Sequence, residues 1–312
     1  MLKKLPLPVT AVALGFGALG NLLESYSPEV RLFCGAVALV LLLAFAAKTI
    51  LYPETFREDM KNPIMASVFC TFSMAVILLA GYAKMFLGSG AAVIWYLGIV
   101  LHILLMLYFT KTFMLKPAMP KVFASYFIVY VGIAVSSVTA PAFNGQALGR
   151  AAFWFAFVMF LVLLVFISRR YVTVPEVPAP ARPLFCIYAA PCGLCLAGYM
   201  QSFPEKSLAL SGFLGILCLC LYLATLMKLP EYLKLPFYPS YAAFTFPFVI
   251  SAIGMKQLMA YLNGAGHPVP GMNLLVLLQT VVAAVLVVYT LLRYVMFLFE
   301  GAGQTKGARQ QA

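Results

Sequence analysis

The sequence has very few charged residues: only 10% of the chain is Asp, Glu, Lys or Arg, and there are two histidines. Hydrophobic residues make up 64% of it, and the mean hydropathy is +0.99. A soluble globular domain carries about 25% charged residues, so this composition excludes that class. The composition predicts an all-α polytopic membrane protein that lies in a lipid bilayer.

There is also too little chain for a domain outside the membrane. A spanning helix with its loop takes about 30 residues, so 312 residues leave room for about ten helices. We expect a single transmembrane domain over residues 1–300 and a short polar cytoplasmic tail over residues 301–312. Apolar runs and their breaks predict ten spans, at residues 5–24, 28–51, 64–84, 91–113, 121–143, 148–169, 183–201, 206–229, 237–262 and 271–299.

Acidic residues are scarcer than basic ones, nine against 21, and the formal net charge is +12. Sixteen of the Lys and Arg residues fall at the N-terminus, around the connections after even-numbered spans or at the C-terminus, and five fall on the other side. Basic residues concentrate in cytoplasmic loops, so this split predicts that both termini are cytoplasmic. A nucleic-acid partner would need a basic surface outside the bilayer, and none is predicted.

The seven cysteines all lie in apolar runs, which argues against a disulfide framework. Cys192 and Cys195 have the spacing of a redox or metal pair, but no second Cys or His pair lies nearby in the sequence. We therefore expect no metal and no cofactor. His102 lies in the fourth span, where a bond to a neighbouring helix is the expected role and proton sensing is the alternative.

Prolines mark a repeat along the chain. Every odd-numbered span begins at or just after a proline, and the intervals between these prolines are 55, 57, 63 and 56 residues, which predicts five helical hairpins. Odd spans are rich in Gly, Ser and Thr, whereas even spans are dense in Leu, Val and Phe. Small and hydroxyl residues suit close packing or a wet cavity, and bulky aliphatic residues suit lipid. We therefore expect the hairpins to form a ring with odd helices inside and even helices outside. The five prolines are Pro8, Pro63, Pro120, Pro183 and Pro239.

The predicted inner segments contain no ionisable side chain. Residues 5–20, 64–83, 122–143, 184–200 and 237–255 include no Asp, Glu, Lys, Arg or His. Proton-coupled transport and acid–base catalysis both need such groups, so their absence favours passive anion conduction. Hydroxyl groups are then the expected anion contacts. Lys256, at the outer end of the ninth span, is the expected vestibule cation, with snorkelling to the headgroups as the alternative.

The ninth span carries a proline, Pro247, near its middle. A proline there removes a backbone hydrogen bond, so we expect one kinked helix. Phe246 follows Phe237 by nine residues, which places its ring about 14 Å into a hydrocarbon layer about 30 Å thick. An aromatic ring at that depth is well placed to close a pore. A phenylalanine that faces lipid or the core is the simpler alternative.

Three motifs follow one another in order: Leu5-Pro-Leu-Pro8 with Leu14-Gly-Phe-Gly-Ala-Leu-Gly-Asn21, then Asn62-Pro63 with Ser67-Val-Phe-Cys-Thr-Phe-Ser-Met74, then Phe244-Thr-Phe-Pro247. With these motifs and its ten-span layout, the sequence resembles the tellurite-resistance/C4-dicarboxylate transporter family. That family includes the bacterial TehA-type channels and the plant guard-cell slow anion channels.

The resemblance implies a homotrimer in the cytoplasmic (inner) membrane, with a separate pore in each protomer. The five odd helices would line that pore, and a phenylalanine of the ninth would occlude it. Phe246 is the matching residue, with Phe244 and Phe248 as alternatives one register step away. The expected pore-lining residues are Pro8, Gly15, Ser67, Thr71, Ser137, Pro191, Thr245 and Pro247.

The function implied is an anion channel or uniporter for small monovalent anions or carboxylates. A proton-coupled secondary transporter of C4-dicarboxylates or oxyanions such as tellurite is the alternative. A membrane scaffold or enzyme is a third class, and the uncharged inner segments argue against the enzyme.

Overall fold

The computed structural model describes residues 2–307, with side chains described for residues 2–299. Over this range the chain is helical with no strand, and it contains ten apolar helices. The predicted polar tail, residues 301–312, lies outside the residues whose side chains are described. The helices are α1 (Val9–Leu23), α2 (Pro28–Leu51), α3 (Pro63–Leu87), α4 (Ala91–Phe109), α5 (Tyr126–Phe143), α6 (Gln146–Thr173), α7 (Ala179–Ser202), α8 (Leu208–Leu233), α9 (Pro239–Gly264) and α10 (Met272–Gly307).

Their length and composition fit a membrane. In the described part of the chain, eight helical stretches are long and apolar enough to cross a bilayer, with α3 and α4 counted as one stretch. α1 is a shorter apolar helix of 15 residues. The protein is thus a polytopic membrane protein, as the composition predicted. The polar connection after α2, expected to be a loop, contains a short surface helix, Pro53–Met60.

Side chains and prolines define where several helices begin. Ser27 accepts a hydrogen bond from a backbone N–H of α2, Asn62 accepts from two N–H groups of α3, and Ser207 accepts from one of α8. Such caps satisfy the free N–H groups of a first turn. Pro28 and Pro63 occupy the first positions of α2 and α3, where a missing N–H is not needed.

Three odd-numbered helices are irregular. α5 alternates between short α-helical and 3₁₀ segments, and α7 begins with ten residues of 3₁₀ helix. In α9, a 3₁₀ segment ends at Phe244, Thr245 adopts a non-helical conformation (φ −95°, ψ −94°), and an α-helix begins at Phe246. The ninth span is therefore not the single kinked helix that was predicted. Pro247 lies in the first turn of the new helix, because a proline fits there without losing a hydrogen bond.

Odd-numbered helices are more buried than even-numbered ones. In the most apolar 18 residues of each helix, 94% of residues in α7 and 83% in α9 are buried, against 28% in α2. Thirteen of the fifteen residues of α1 are buried. The large hydrophobic side chains exposed on α2, α4, α6, α8 and α10 suit contact with lipid.

Neighbouring helices in sequence pack in pairs: α1 with α2, α3 with α4, α5 with α6, α7 with α8, and α9 with α10. Among odd helices, α1 packs on α3 and α9, α5 packs on α3 and α7, and α7 packs on α9. Glycine allows the closest of these approaches. A Cβ atom at Gly193 of α7 would lie 2.8 Å from the Cα atom of Ser251 in α9.

A buried arginine fixes the connection between α6 and α7. Arg170 is 1% exposed, and its guanidinium donates to the carbonyls of Val174, Pro120 and Glu176 at 3.0–3.3 Å. It also packs over the Phe123 ring at 4.6 Å. One cation thereby ties the α6–α7 connection to the segment before α5, at the entrance of the first cavity described below.

Candidate functional site

Two cavities enter the helical bundle from opposite ends. The first, of about 430 Å³, lies at the N-terminal ends of the odd helices and is called the termini-side cavity. The second, of about 320 Å³, lies at their C-terminal ends and is called the far-side cavity. Phe246 and Leu194 line both cavities. These two side chains therefore form a partition between the cavities.

The termini-side cavity has an almost wholly apolar wall. Seven prolines line it, together with Met, Leu, Ile and Phe side chains, and Lys121 is its one charged lining residue. The polar residues of the lining include Asn62, Thr71 and Ser240. The hydroxyl oxygen of Ser240 is buried and has no hydrogen-bond partner among the described residues.

The far-side cavity is more polar. Its lining residues include one cation, Arg31, and one acid, Glu24, at the ends of α2 and α1 that meet there. Amide side chains complete the polar wall, with Gln257 and Gln201 among them. The two cavities thus differ in chemistry: an anion would meet mainly hydrocarbon on one side of the partition and hydrogen-bond donors on the other.

The break in α9 positions Phe246. The Thr245 hydroxyl is within hydrogen-bonding distance of the carbonyls of Ala11 in α1 and Ala242 in α9, at 3.1 and 2.7 Å. Gly15 of α1 faces the break, where a Cβ atom would lie 2.6 Å from Thr245 Cβ and 3.2 Å from the Phe246 nitrogen. The backbone of α1 therefore packs directly against the break that precedes Phe246. Phe246 itself is buried, with 5% of its surface exposed, and lines both cavities.

The neighbouring phenylalanines point elsewhere. Phe244 packs on the Tyr241 ring at 4.8 Å, and Phe248 packs on the Tyr222 ring at 5.5 Å. Both are fully buried, and neither lines either cavity. Of the three registers considered from the sequence, only Phe246 lies between the cavities.

Four of the other predicted pore residues lie on a cavity wall. Pro8, Thr71, Pro191 and Pro247 all line the termini-side cavity. The Thr71 hydroxyl donates to the Val68 carbonyl at 2.7 Å. The structure thus brings residues from α1, α3, α7 and α9 to one cavity.

Gly15, Ser67, Ser137 and Thr245 line neither cavity. The Ser67 hydroxyl donates to Ser125 at 2.8 Å, and the Ser137 hydroxyl donates to the Gly149 carbonyl, on α6, at 2.7 Å. Hydroxyls in membrane helices often form such interhelical bonds. These residues therefore join helices to one another, and a polar residue type alone did not distinguish that role from pore lining.

Lys256 is also outside the lining of the far-side cavity. Its ammonium group donates to the Leu22 carbonyl at the end of α1 and to the Ser25 hydroxyl, at 2.9 and 2.6 Å. Lys84 and Lys206 likewise donate to carbonyls at the ends of α5 and α7. A cation at a helix C-terminus satisfies free carbonyls and offsets their partial negative charge. The far-side lysines thus cap helix ends.

His102 lies away from both cavities. It is fully buried, with Nδ1 2.8 Å from the Ser73 hydroxyl and Nε2 3.1 Å from the Val129 carbonyl. These bonds join α4 to α3 and α5, which is the interhelical role expected from the sequence. Within the described residues, no group of three or more His, Cys, Asp and Glu side chains is arranged to hold a metal.

Sequence reasoning missed two residues of the site. Leu194 is one leucine in a stretch of small residues, and only the packing of α7 on α9 reveals its place in the partition. Arg31 lies in the first turn of α2. Even-numbered helices such as α2 were assigned to the outer set. A search for charges at the ends of all helices, odd and even, would have found Arg31.

The fold and the cavities first define the class of protein. It is a polytopic helical membrane protein with one cavity on each side of an aromatic partition. The chain belongs to the voltage-dependent anion channel (SLAC1) family, which matches residues 4–295. This match confirms the family resemblance seen in the sequence. The family consists of channels and transporters of small anions and not of enzymes. No curated protein matches the chain.

Proposed function

We propose that this protein is an anion channel or uniporter in which each protomer has its own pathway, closed by the Phe246 ring. The observation that carries the proposal is that Phe246 lines both cavities. A ring that lies between two cavities blocks movement sterically, and its displacement connects them. Leu194 is the second side chain of this constriction.

The pathway is bounded by the five odd helices in a ring. Support comes from their contacts, which run from α1 to α3, α5, α7, α9 and back to α1. Burial supports the same arrangement, because odd helices are covered while even helices expose large apolar side chains. The pathway then runs along the axis of the ring. Pro8, Thr71, Pro191 and Pro247 contribute to its termini-side half.

Conduction is passive. A proton-coupled transporter needs an ionisable group in the membrane interior, and the partition of Phe246 and Leu194 contains none. The charged residues that line the cavities lie near the ends of helices: Lys121, Glu24 and Arg31. His102 has both ring nitrogens bonded and lies on neither cavity wall. This favours the channel or uniporter over a coupled carrier of dicarboxylates or tellurite.

The protein lies in the cytoplasmic membrane with both termini in the cytoplasm, because the basic residues cluster on that side. The termini-side cavity then opens to the cytoplasm. We also propose a homotrimer, as the family resemblance implies, in which even helices contact lipid or neighbouring subunits. Native mass spectrometry of the detergent-purified protein checks the subunit number.

The test of function is electrical recording from purified protein in planar bilayers, with chloride, nitrate and malate compared at equal concentration. The expected result is a current whose reversal potential follows the anion gradient. Proteoliposomes provide the second arm, in which a pH gradient is imposed with no anion gradient. Uphill anion uptake in that arm would contradict passive conduction and support the coupled transporter. Absence of anion flux in both arms would contradict both.

A further inference from the structure

Arg31 is the one cation that lines the far-side cavity. It is partly buried, with its side chain 18% exposed, and its guanidinium packs over the Tyr82 ring at 4.7 Å. Nε donates to Asn21 Oδ1 at 3.2 Å, and Nη1 lies 3.2 Å from Glu24 Oε1. A guanidinium has five N–H donors in a planar fork. Nη1 also donates to Met85 Sδ at 3.8 Å. These contacts involve Nε and Nη1, so the two donors of Nη2 are available.

The ion pair between Glu24 and Arg31 is weak. The Glu24 side chain is 53% exposed, and it stands at the C-terminal end of α1, where a negative charge is unfavourable. Exposed ion pairs of this kind contribute little net stability. Arg31 is the one basic residue in an ion pair with Glu24 in the described part of the chain. A free anion of suitable shape can therefore replace the Glu24 carboxylate on Arg31.

The other cations on this side do not line the far-side cavity. Lys84, Lys206 and Lys256 donate to backbone carbonyls at helix ends. Arg150 lies near the start of α6 and does not line the cavity. Arg31 is thus the positive charge that an anion in the far-side cavity meets.

We propose that the far-side cavity contains an anion-binding site built on Arg31, and that Glu24 occupies this site as a tethered competitor when no anion is bound. The ligand class is a small planar oxyanion, such as nitrate or a monocarboxylate, since the guanidinium fork matches two oxygens in one plane. Amide groups of Asn21 and Gln257, which line the same cavity, are the neighbouring polar contacts. This inference rests on the proposed function, because it assigns the substrate class of the same pathway.

The first test measures binding without transport. Thermal unfolding of the detergent-purified protein is followed while sodium nitrate is titrated against sodium chloride at constant ionic strength. Nitrate is expected to raise the midpoint more than chloride does in the wild type. Glu24→Gln should lower the half-saturating nitrate concentration about two- to fivefold, because a weak competing pair is removed. Arg31→Gln should raise it at least tenfold.

Two further variants separate this site from general charge effects. Arg150→Gln removes one positive charge from the same side of the protein and is expected to leave the nitrate titration unchanged. Arg31→Lys keeps the charge but loses the fork, so the preference for nitrate over chloride should disappear. In a protein that already carries Arg31→Gln, adding Glu24→Gln should leave the half-saturating nitrate concentration unchanged, since both residues act on one site.

The second test records currents from the same variants in planar bilayers. The half-saturating nitrate concentration for current should shift in the same directions. If binding shifts as expected but no variant conducts, the site stands and the proposed function fails. If the protein conducts while Glu24→Gln leaves nitrate binding unchanged, or Arg31→Gln behaves like Arg150→Gln, the site is refuted and the function stands.

Discussion

Replacing Phe246 with alanine should open the pathway. In the proposed pathway the ring, which is 5% exposed and lines both cavities, must leave this position before an anion can pass. Exposing a buried phenylalanine side chain costs about 1.5–3 kcal/mol. Because about 1.4 kcal/mol corresponds to a factor of ten, Phe246→Ala should raise chloride conductance about 10- to 150-fold.

The assay is single-protein recording in planar bilayers at symmetrical chloride, with channel number normalised to protein. Phe248→Ala and Phe244→Ala are matched controls, because each removes an equally buried ring within two residues but away from both cavities. Each control should lose stability by about 3–5 kcal/mol and keep conductance within about twofold of the wild type.

Two results would refute this reasoning. The first is unchanged conductance in Phe246→Ala when circular dichroism and monodisperse elution show a folded protein. The second is a rise in Phe248→Ala or Phe244→Ala as large as that in Phe246→Ala, since this would assign the constriction to another register of α9.

Three further predictions follow from the packing. Leu194→Ala should raise chloride conductance less than Phe246→Ala does, about two- to tenfold, because it widens the same partition by a smaller side chain; an unchanged current would remove it from the constriction. Gly15→Ala should lower stability by about 1–3 kcal/mol in thermal unfolding, because the added Cβ atom would clash with the α9 break. The control Gly212→Ala should not lower stability, because the space around Gly212 is open. Equal unfolding midpoints for the two variants would contradict this prediction. Arg170→Met should lower the free energy of unfolding by about 2–5 kcal/mol, since three carbonyls lose a charged donor. Arg169 is exposed, so the control Arg169→Met should change stability little. A similar loss in both variants would show that the carbonyl contacts are not responsible.

Much of the architecture could be predicted because membrane helices leave strong signals. Hydropathy located the ten apolar helices to within a few residues, since each must be long enough to cross the bilayer. Consecutive helices pack in pairs, as expected of hairpins. Of the five prolines, however, only Pro63 lies in the first turn of an α-helix, because Pro8 precedes α1 and the other three lie in 3₁₀ segments. The family resemblance indicated Phe246, which lines both cavities in the structure; its role as a gate stays a prediction.

The details of the site depend on packing between distant segments. The α9 break lies at Thr245 because α1 approaches there and accepts its hydroxyl, a contact between residues 234 positions apart. Nothing in the local sequence distinguishes the Ser67 and Ser137 hydroxyls, which bond other helices, from the Ser240 hydroxyl, for which the described residues supply no partner. The contact of Lys256 could not be predicted for the same reason, since the carbonyl that it binds belongs to α1.

The break in α9 also has an electrostatic consequence. An α-helix carries a partial positive charge of about half an elementary charge at its N-terminus, and helices usually place that end in water at the membrane surface. Here a 19-residue α-helix starts at Phe246, beside the partition. The dehydration cost of a passing anion is greatest away from bulk water. In the proposed pathway, the start of this helix thereby supplies a favourable potential beside Phe246 without a titratable side chain.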